Sequence, residues 1–344
     1  MKILLVGIFV SPSGVRGVCE DMAVQFSKLN WEVLTTSNKL FRLPRFIDML
    51  GTVWQNRNRY SVAHVEVYSG LAFIWAEAVC WVLRLAKKPY ILTLHGGNLP
   101  NFGKHWPGRV SNLLQSAALV TTPSNYLLQK MKVYREDLHL IPNALNLQTY
   151  YFNLRKQPQP RLIWLRAFHS IYNPQMAPKV VELLIPEFPN IHLTMVGPDK
   201  GDGSLLRTER IAKELNFDKH MTLVGKVPKS EVPFWMNQGD IFLNTTNVDN
   251  TPVSVMEAMA SGLCLVSTNV GGIPYLLEHE KNALLVPPVN PDAMAAAVRR
   301  ILIEPGLAER LSRNARLKAE QFDWSVTLPQ WKALLLKVTE GANS

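Results

Sequence analysis

Residues 248–262 read VDNTPVSVMEAMASG, directly after the short apolar run DIFLNTT (240–246). That run has the length and composition of a buried strand. Asp, Asn and Pro in the next stretch are turn residues. VSVMEAMA then carries apolar residues at helical spacing, and Gly262 supplies the stop. Strand, turn and helix in this order put a helix start at the carboxyl end of a strand. The N–H groups near Pro252, Val253 and Ser254 have no carbonyl one turn earlier to bond. Such a terminus carries roughly half a positive charge and suits a phosphate. Asp249 sits just outside the helix and Glu257 about one turn inside it. As residues alone, Asp249 either contacts ligand hydroxyls or caps a turn, and Glu257 either reaches the rim or suits the helix dipole.

The same alternation runs outward through the chain. KILLVGI (2–8), WEVLTT (31–36), VAHVEV (62–67), YILTLH (90–95), ALVTT (118–122) and LHLIP (138–142) read as strands, with helices such as 17–30 and 124–135 between them. NLRKQPQPR (153–161) is polar with two prolines and reads as a linker. Strands then resume in RLIWLRAF (161–168), IHLTMVG (191–197), MTLVG (221–225), DIFLNTT, LCLVST (263–268) and NALLVPP (282–288). Nearly continuous apolar strands separated by helices imply parallel sheets covered on both faces. The fold class is α/β: two tandem, doubly wound Rossmann-like domains whose strand ends face a common cleft. The expected divisions are 1–153, 154–322 and a final helix, 323–344, with Pro329 inside it and able to pack back on the first domain.

Length supports two cores, since one rarely grows past about 250 residues. Cys19, Cys80 and Cys264 are widely spaced, with no pair at metal-ligand spacing, which fits a reduced cytosolic compartment. The N-terminal apolar run, short and followed by Pro and Gly, reads as a first buried strand, the expectation here being no leader. GLAFIWAEAVCWVLRLA (70–86) is interrupted by Glu77 and Arg84 and is too short to span a bilayer. Net charge is +10, and residues 1–153 supply +8 of it. A basic first half either selects an anionic partner or serves solubility. Residues 41–60 join Arg42, Arg45, Arg57 and Arg59 to Phe41, Phe46, Leu50 and Trp54. Such a helix can lie on an anionic bilayer or cover a core with its basic face in water. No nucleic-acid reader motif accompanies the charge, and no G-x-G-x-x-G follows the first strand.

From about Asp240 to Pro288 the chain resembles the donor-site signature of family 4 retaining glycosyltransferases, which have the GT-B fold. The resemblance is carried by Asp249 and Glu257 with seven residues between them, Glu257-Ala258-Met259-Ala260, Gly262 and the pair Gly271-Gly272. Weaker echoes are SPSGVRG (11–17), LTLHGG (92–97), IPNALN (141–146), MVGPDKGDG (195–203) and the helix after FDW (322–324).

The resemblance implies roles. Glu257 holds the nucleotide ribose. Asp249, standing for the usual first Glu, contacts the donor sugar. The backbone of Asn250, Thr251, Pro252, Val253, Ser254 and Val255 lines the sugar and diphosphate. Arg166 meets the diphosphate, and its guanidinium suits that anion. The family's lysine a few residues on is absent, because Ile171, Tyr172 and Asn173 stand there; His169 or Lys226 is the expected substitute. His95 faces donor sugar and acceptor, Gly14 and Gly17 form a loop approaching the diphosphate, and Gly225, Lys226 and Val227 lie at the nucleotide base. The implied reaction moves a hexosyl residue from a nucleoside diphosphate sugar to an acceptor hydroxyl, without metal ion or further cofactor. A lipid-linked saccharide acceptor, an anionic membrane surface and a cytoplasmic, peripheral location are the expected setting, with no nucleic acid partner. The rival readings are a sugar-nucleotide 2-epimerase on the same two sheets and a non-catalytic nucleotide-sugar binding module.

Overall fold

Side chains alternate across a strand, so each sheet's two apolar faces are set by odd and even positions. The computed structural model describes residues 1–9 and 17–341, so Gly14 lies outside the described residues. The chain forms two units, Met1–Ala144 with Trp324–Ser344, and Leu145–Asp323.

The first unit contains β1 (Lys2–Val6), α1 (Val18–Lys28), β2 (Glu32–Thr36), α2 (Arg42–Gln55), β3 (Val62–Val67), α3 (Leu71–Leu85), β4 (Tyr90–Leu94), α4 (Leu99–His105), α5 (Pro107–Gln115), β5 (Leu119–Thr122), α6 (Asn125–Met131) and β6 (Leu138–Leu140). Its strands are parallel in the order β2-β1-β3-β4-β5-β6. Leu4, Val6 and Val65 point to the face covered by α2, α3 and α5. Ile3, Leu5 and Ile91 point to the other face, with Phe26 of α1.

The second unit contains β7 (Arg161–Leu165), α7 (Met176–Leu184), β8 (His192–Val196), α8 (Ser204–Glu214), β9 (Met221–Gly225), α9 (Val232–Gln238), β10 (Ile241–Asn244), α10 (Val253–Ala260), β11 (Cys264–Thr268), α11 (Ile273–Leu276), β12 (Leu284–Val286), α12 (Pro291–Ile303) and α13 (Leu307–Ala319). Its parallel order is β12-β11-β10-β7-β8-β9. Trp164 and Leu243 pack toward α7 and α12, while Ile163 and Phe242 pack toward α10. The last helix, α14 (Trp324–Gly341), belongs to the first unit, where the Trp331 ring lies 6.5 Å from Phe26 and 5.4 Å from His64.

α10 is buried all round at Val255, Met256, Ala258, Met259 and Ala260. It ends as its sequence demands. Gly262 takes φ +74°, and the Leu263 N–H donates to Ala258 O at 3.0 Å, closing a Schellman turn.

Some expectations need correction. RLIWLRAF leaves the ladder at Leu165, and Phe168 turns inward, its ring tilted against Trp164 at 5.0 Å. Residues 153–161 are not a free linker, and the units divide at Ala144/Leu145. The reason is one buried arginine. Arg155, 3% exposed, donates from Nε to Asp240 Oδ1 at 3.2 Å and from its terminal nitrogens to the carbonyls of Asn153, Ser261 and Gly239. Arg161 and the Gln159 N–H complete Asp240 from the same segment. Polar composition with two prolines mimics a linker; the guanidinium fork anchors it instead. Arg45, expected on the basic face of α2, is also buried, donating to the carbonyls of Lys39 and Leu40.

Removing one partner of a buried ion pair leaves the other uncompensated. Arg155→Ala is therefore expected to destabilise the protein by about 3–5 kcal/mol. Arg299→Ala, which breaks an exposed pair with Glu187, should change stability little. Thermal melting of both variants beside the parent checks the contrast.

Candidate functional site

The strand order of the second unit reverses direction between β7 and β10, the position at which doubly wound sheets bind ligands. Two segments leave the sheet there. Arg166 follows β7, and residues 245–252 lead from β10 into α10.

Close backbone approach shapes both segments. A Cβ at Gly271 would stand 2.1 Å from Asp249 O, and one at Gly272 would stand 2.1 Å from Asn250 O. The Gly272 N–H donates to Asp249 O at 3.0 Å. Only paired glycines let the two loops touch. Behind Arg166, Gly197 has φ +152° and its Cβ would lie 1.7 Å from Arg166 O.

Arg166 and Asp249 form an ion pair through Nη2 and Oδ2, with both side chains largely buried. The second Asp249 oxygen accepts the Asn250 N–H at 2.9 Å. Residues 170–172 supply no lysine, and the structure shows what they do in its place. The Tyr172 ring lies 4.2 Å from the Arg166 guanidinium carbon, a cation-π contact. The carbonyls of Ile171 and Tyr172 accept from the Asn247 N–H and the Thr245 hydroxyl, both at 2.7 Å. Trp164 Nε1 donates to the same hydroxyl at 2.9 Å. Nδ1 of His169, one of the two expected substitutes, accepts the Ile171 N–H at 3.2 Å and lies 3.9 Å from Asp202. Lys226 is exposed after β9, beside Gly225, whose φ is +77°. The Gly225 carbonyl accepts the Gly197 N–H, which ties that strand exit to the Arg166 turn. Val227 is half-buried in one apolar cluster with Trp235.

Glu257 is 4% exposed, and the Tyr150 hydroxyl donates to its Oε1 at 2.7 Å. Sequence reasoning missed Tyr150. It stands just after IPNALN, but its partner is 107 positions along, and no local pattern marks such a pair.

In the first unit, His95 follows β4 and is buried. Its Nε2 lies 3.7 Å from Glu66 Oε1, and its ring stacks on Tyr68 at 5.2 Å. Burial holds His95 down at about 4 and raises Glu66 to about 7. Glu66, also missed in the sequence, lines a cavity of about 60 Å³ with Gly7, Met49, Tyr68 and Trp75. The Gly17 N–H is bonded to Glu20 Oε2 at 2.9 Å.

Buried polar atoms normally find partners, and each failure costs about 1–3 kcal/mol. Among the described residues, buried side-chain atoms without a hydrogen-bond partner in the protein include Arg166 Nε and Ser254 Oγ, and Glu66 Oε1 and His95 Nε2, whose 3.7 Å separation is too long for a hydrogen bond. Arg166 follows β7 and Ser254 lies in the first turn of α10, in the second unit; His95 follows β4 and Glu66 is the penultimate residue of β3, in the first.

Comparison with known proteins gives this geometry a family context. Residues 152–318 match the family described as Glycosyl transferases group 1. An uncharacterized glycosyltransferase of Haemophilus influenzae is 26% identical over 158 residues, 46% of this chain and 43% of that protein. The D-inositol 3-phosphate glycosyltransferase of Pseudarthrobacter chlorophenolicus is 22% identical over 293 residues, 79% of this chain and 70% of that protein. The match thus spans less than half the length of the Haemophilus relative. Among solved structures, sucrose-phosphate synthase from Thermosynechococcus elongatus superposes with TM-score 0.77 at 18% identity, covering 99% of this chain and all of that one. Anabaena HepE in complex with UDP and glucose gives 0.77 at 17% identity, covering 98% and 100%. At such identities the likeness establishes the fold, which is GT-B.

The buried titratable groups set the pH response. Glu66, raised from 4.5 to about 7 by burial, favours the fold below pH 4.5 and loses that contribution as pH rises through 7. His95 and His64, lowered from 6.5 to about 4 and about 3 mainly by burial, favour the fold above pH 6.5 and lose it on acidification. Glu66→Gln is therefore expected to raise the melting temperature near pH 8 and leave it nearly unchanged near pH 4.5. Fluorimetric melts at the two pH values check the sign.

Proposed function

We propose that the chain is a retaining glycosyltransferase of the family 4 type, moving a hexosyl residue from a nucleoside diphosphate sugar to an acceptor hydroxyl. One observation carries the reading. Arg166, beyond β7, pairs with Asp249 in the loop that leads from β10 into α10, the helix that carries the buried Glu257, and Arg166 Nε and Ser254 Oγ have no hydrogen-bond partner in the protein. HepE, which shares the fold, is described in complex with UDP and glucose.

The chemistry follows from the charges. As the bond between the anomeric carbon and the diphosphate breaks, negative charge grows on the leaving group. The positive end of α10 and the Arg166 guanidinium are placed to stabilise it without a metal ion. Arg166 need not release Asp249 to do so. Nη2 serves the carboxylate while Nε stays available for a phosphate oxygen. Asp249, shorter than the family's Glu, has Asn250 and Arg166 to fix its direction toward the donor sugar. Glu257 accepts the ribose hydroxyls, and Tyr150 fixes its rotamer. The acceptor oxygen bonds to the anomeric carbon on the face the diphosphate leaves, and a donor phosphate oxygen takes its proton. His95, neutral near pH 7, offers a hydrogen bond without a charge. The setting proposed is surface polysaccharide or glycolipid assembly at the cytoplasmic face of the membrane, with a lipid-linked saccharide as acceptor.

Differential scanning fluorimetry against UDP, GDP, ADP and their hexoses, without magnesium, tests the donor site. A ligand at ~100 times its dissociation constant adds roughly 2.7 kcal/mol. At least one of these is expected to raise the melting temperature, and Glu257→Ala should abolish the shift. Tyr150→Phe should weaken binding about tenfold, or ~1.4 kcal/mol. No shift with any of them would sink the reading. A new nucleotide sugar formed without acceptor would instead identify an epimerase.

A further inference from the structure

Two neighbouring helices of the first unit carry apolar surface that their core does not use. In α2 the inward face is Arg45, Met49 and Val53. Leu43, Ile47 and Trp54 are exposed, Leu43 at 68%, and fall within a narrow arc on a separate face, since residues four and eleven apart nearly coincide on a helix. α3 repeats the arrangement. Its inward face holds Phe73, Ala76 and Cys80, while Leu71, Ile74, Trp81 and Leu85 form an exposed stripe at spacings of three, seven and four. The rings of Phe46 and Trp75, 5.9 Å apart, join the two helices. Contiguous exposed apolar rows of this kind mark an interaction surface.

Charge names the partner. Residues 39–88 hold eight Lys and Arg against three acids. Those acids are engaged or buried. Asp48 accepts from the Thr36 hydroxyl, Glu77 pairs with Arg109, and Glu66 is buried. Arg42, Arg84 and Lys87 are exposed beside the stripes, and Arg57 lies over the Trp54 ring at 4.5 Å. A twofold contact with a second copy would set like charges against each other. An anionic bilayer offers the opposite charge and an apolar interior. Among the described residues no helix is long and apolar enough to cross a membrane.

We infer that the outer face of α2 and α3 docks on an anionic lipid surface, with Leu43, Ile47, Trp54 and Trp81 entering the headgroup boundary. This stands independently of the nucleotide-sugar reading.

The test is flotation of the full chain with vesicles of phosphatidylcholine alone or with about 30% phosphatidylglycerol. Flotation with the anionic vesicles at about 0.1 M salt is expected, falling at least about tenfold with the neutral ones or at about 0.5 M salt. Leu43→Ser with Ile47→Ser and Trp54→Ser should lose binding about tenfold while keeping the parent melting temperature. If that triple variant melts lower, Arg42→Glu with Lys87→Glu replaces it, and these exposed changes should lose binding equally. Parent protein that stays with the pellet, or variants that float as well as it does, would overturn the inference. So would sedimentation showing a dimer that the triple variant makes monomeric, since the face would then belong to a second copy.

Discussion

At one point in the second unit two backbone segments come closer than any side chain permits. Asp249 and Asn250 lie against Gly271 and Gly272 at distances a methyl group cannot enter. That contact fixes where the acidic loop leaves β10, and hence where α10 begins and where Asp249 meets Arg166. A glycine pair stabilises nothing by burial; it removes an obstruction, and a hydrogen bond from Gly272 then holds the approach.

Around this point the second unit handles its polar groups in two ways. In one cluster they are satisfied. Arg155 bonds a carboxylate and three carbonyls, and Asp240 gathers two arginines and a backbone N–H. Elsewhere satisfaction is incomplete: among the described residues Arg166 Nε beyond β7, Ser254 Oγ in the first turn of α10, Trp235 Nε1 and Ser261 Oγ are buried without a hydrogen-bond partner. Low dielectric makes such atoms costly in isolation and strong toward the right ligand. The first unit shows a related contrast. Glu66 and His95 face each other at 3.7 Å, and burial favours the neutral form of each.

Much of this was legible in the one-dimensional pattern. Strand positions followed from apolar runs bounded by turn residues, and VAHVEV and MTLVG coincide with β3 and β9 at both ends. The start and stop of α10 were written in Pro252 and Gly262. The segment 153–161 misled because composition reports the average polarity of a stretch, whereas one buried Arg155 decides where that stretch belongs. The basic helix misled in the same way at Arg45.

Sequence by itself determined the alternation of strands and helices, the acidic pair flanking a helix start, the two glycines and the basic character of the first half. Each of these is a local property, carried by residues a few positions apart or by composition. Tertiary structure alone decided that Tyr150 holds Glu257, that Arg166 pairs with Asp249 over Tyr172, and that α2 and α3 leave apolar stripes in water side by side. Those pairings join residues far apart along the chain, and parallel crossovers bring them together only after the sheets have formed.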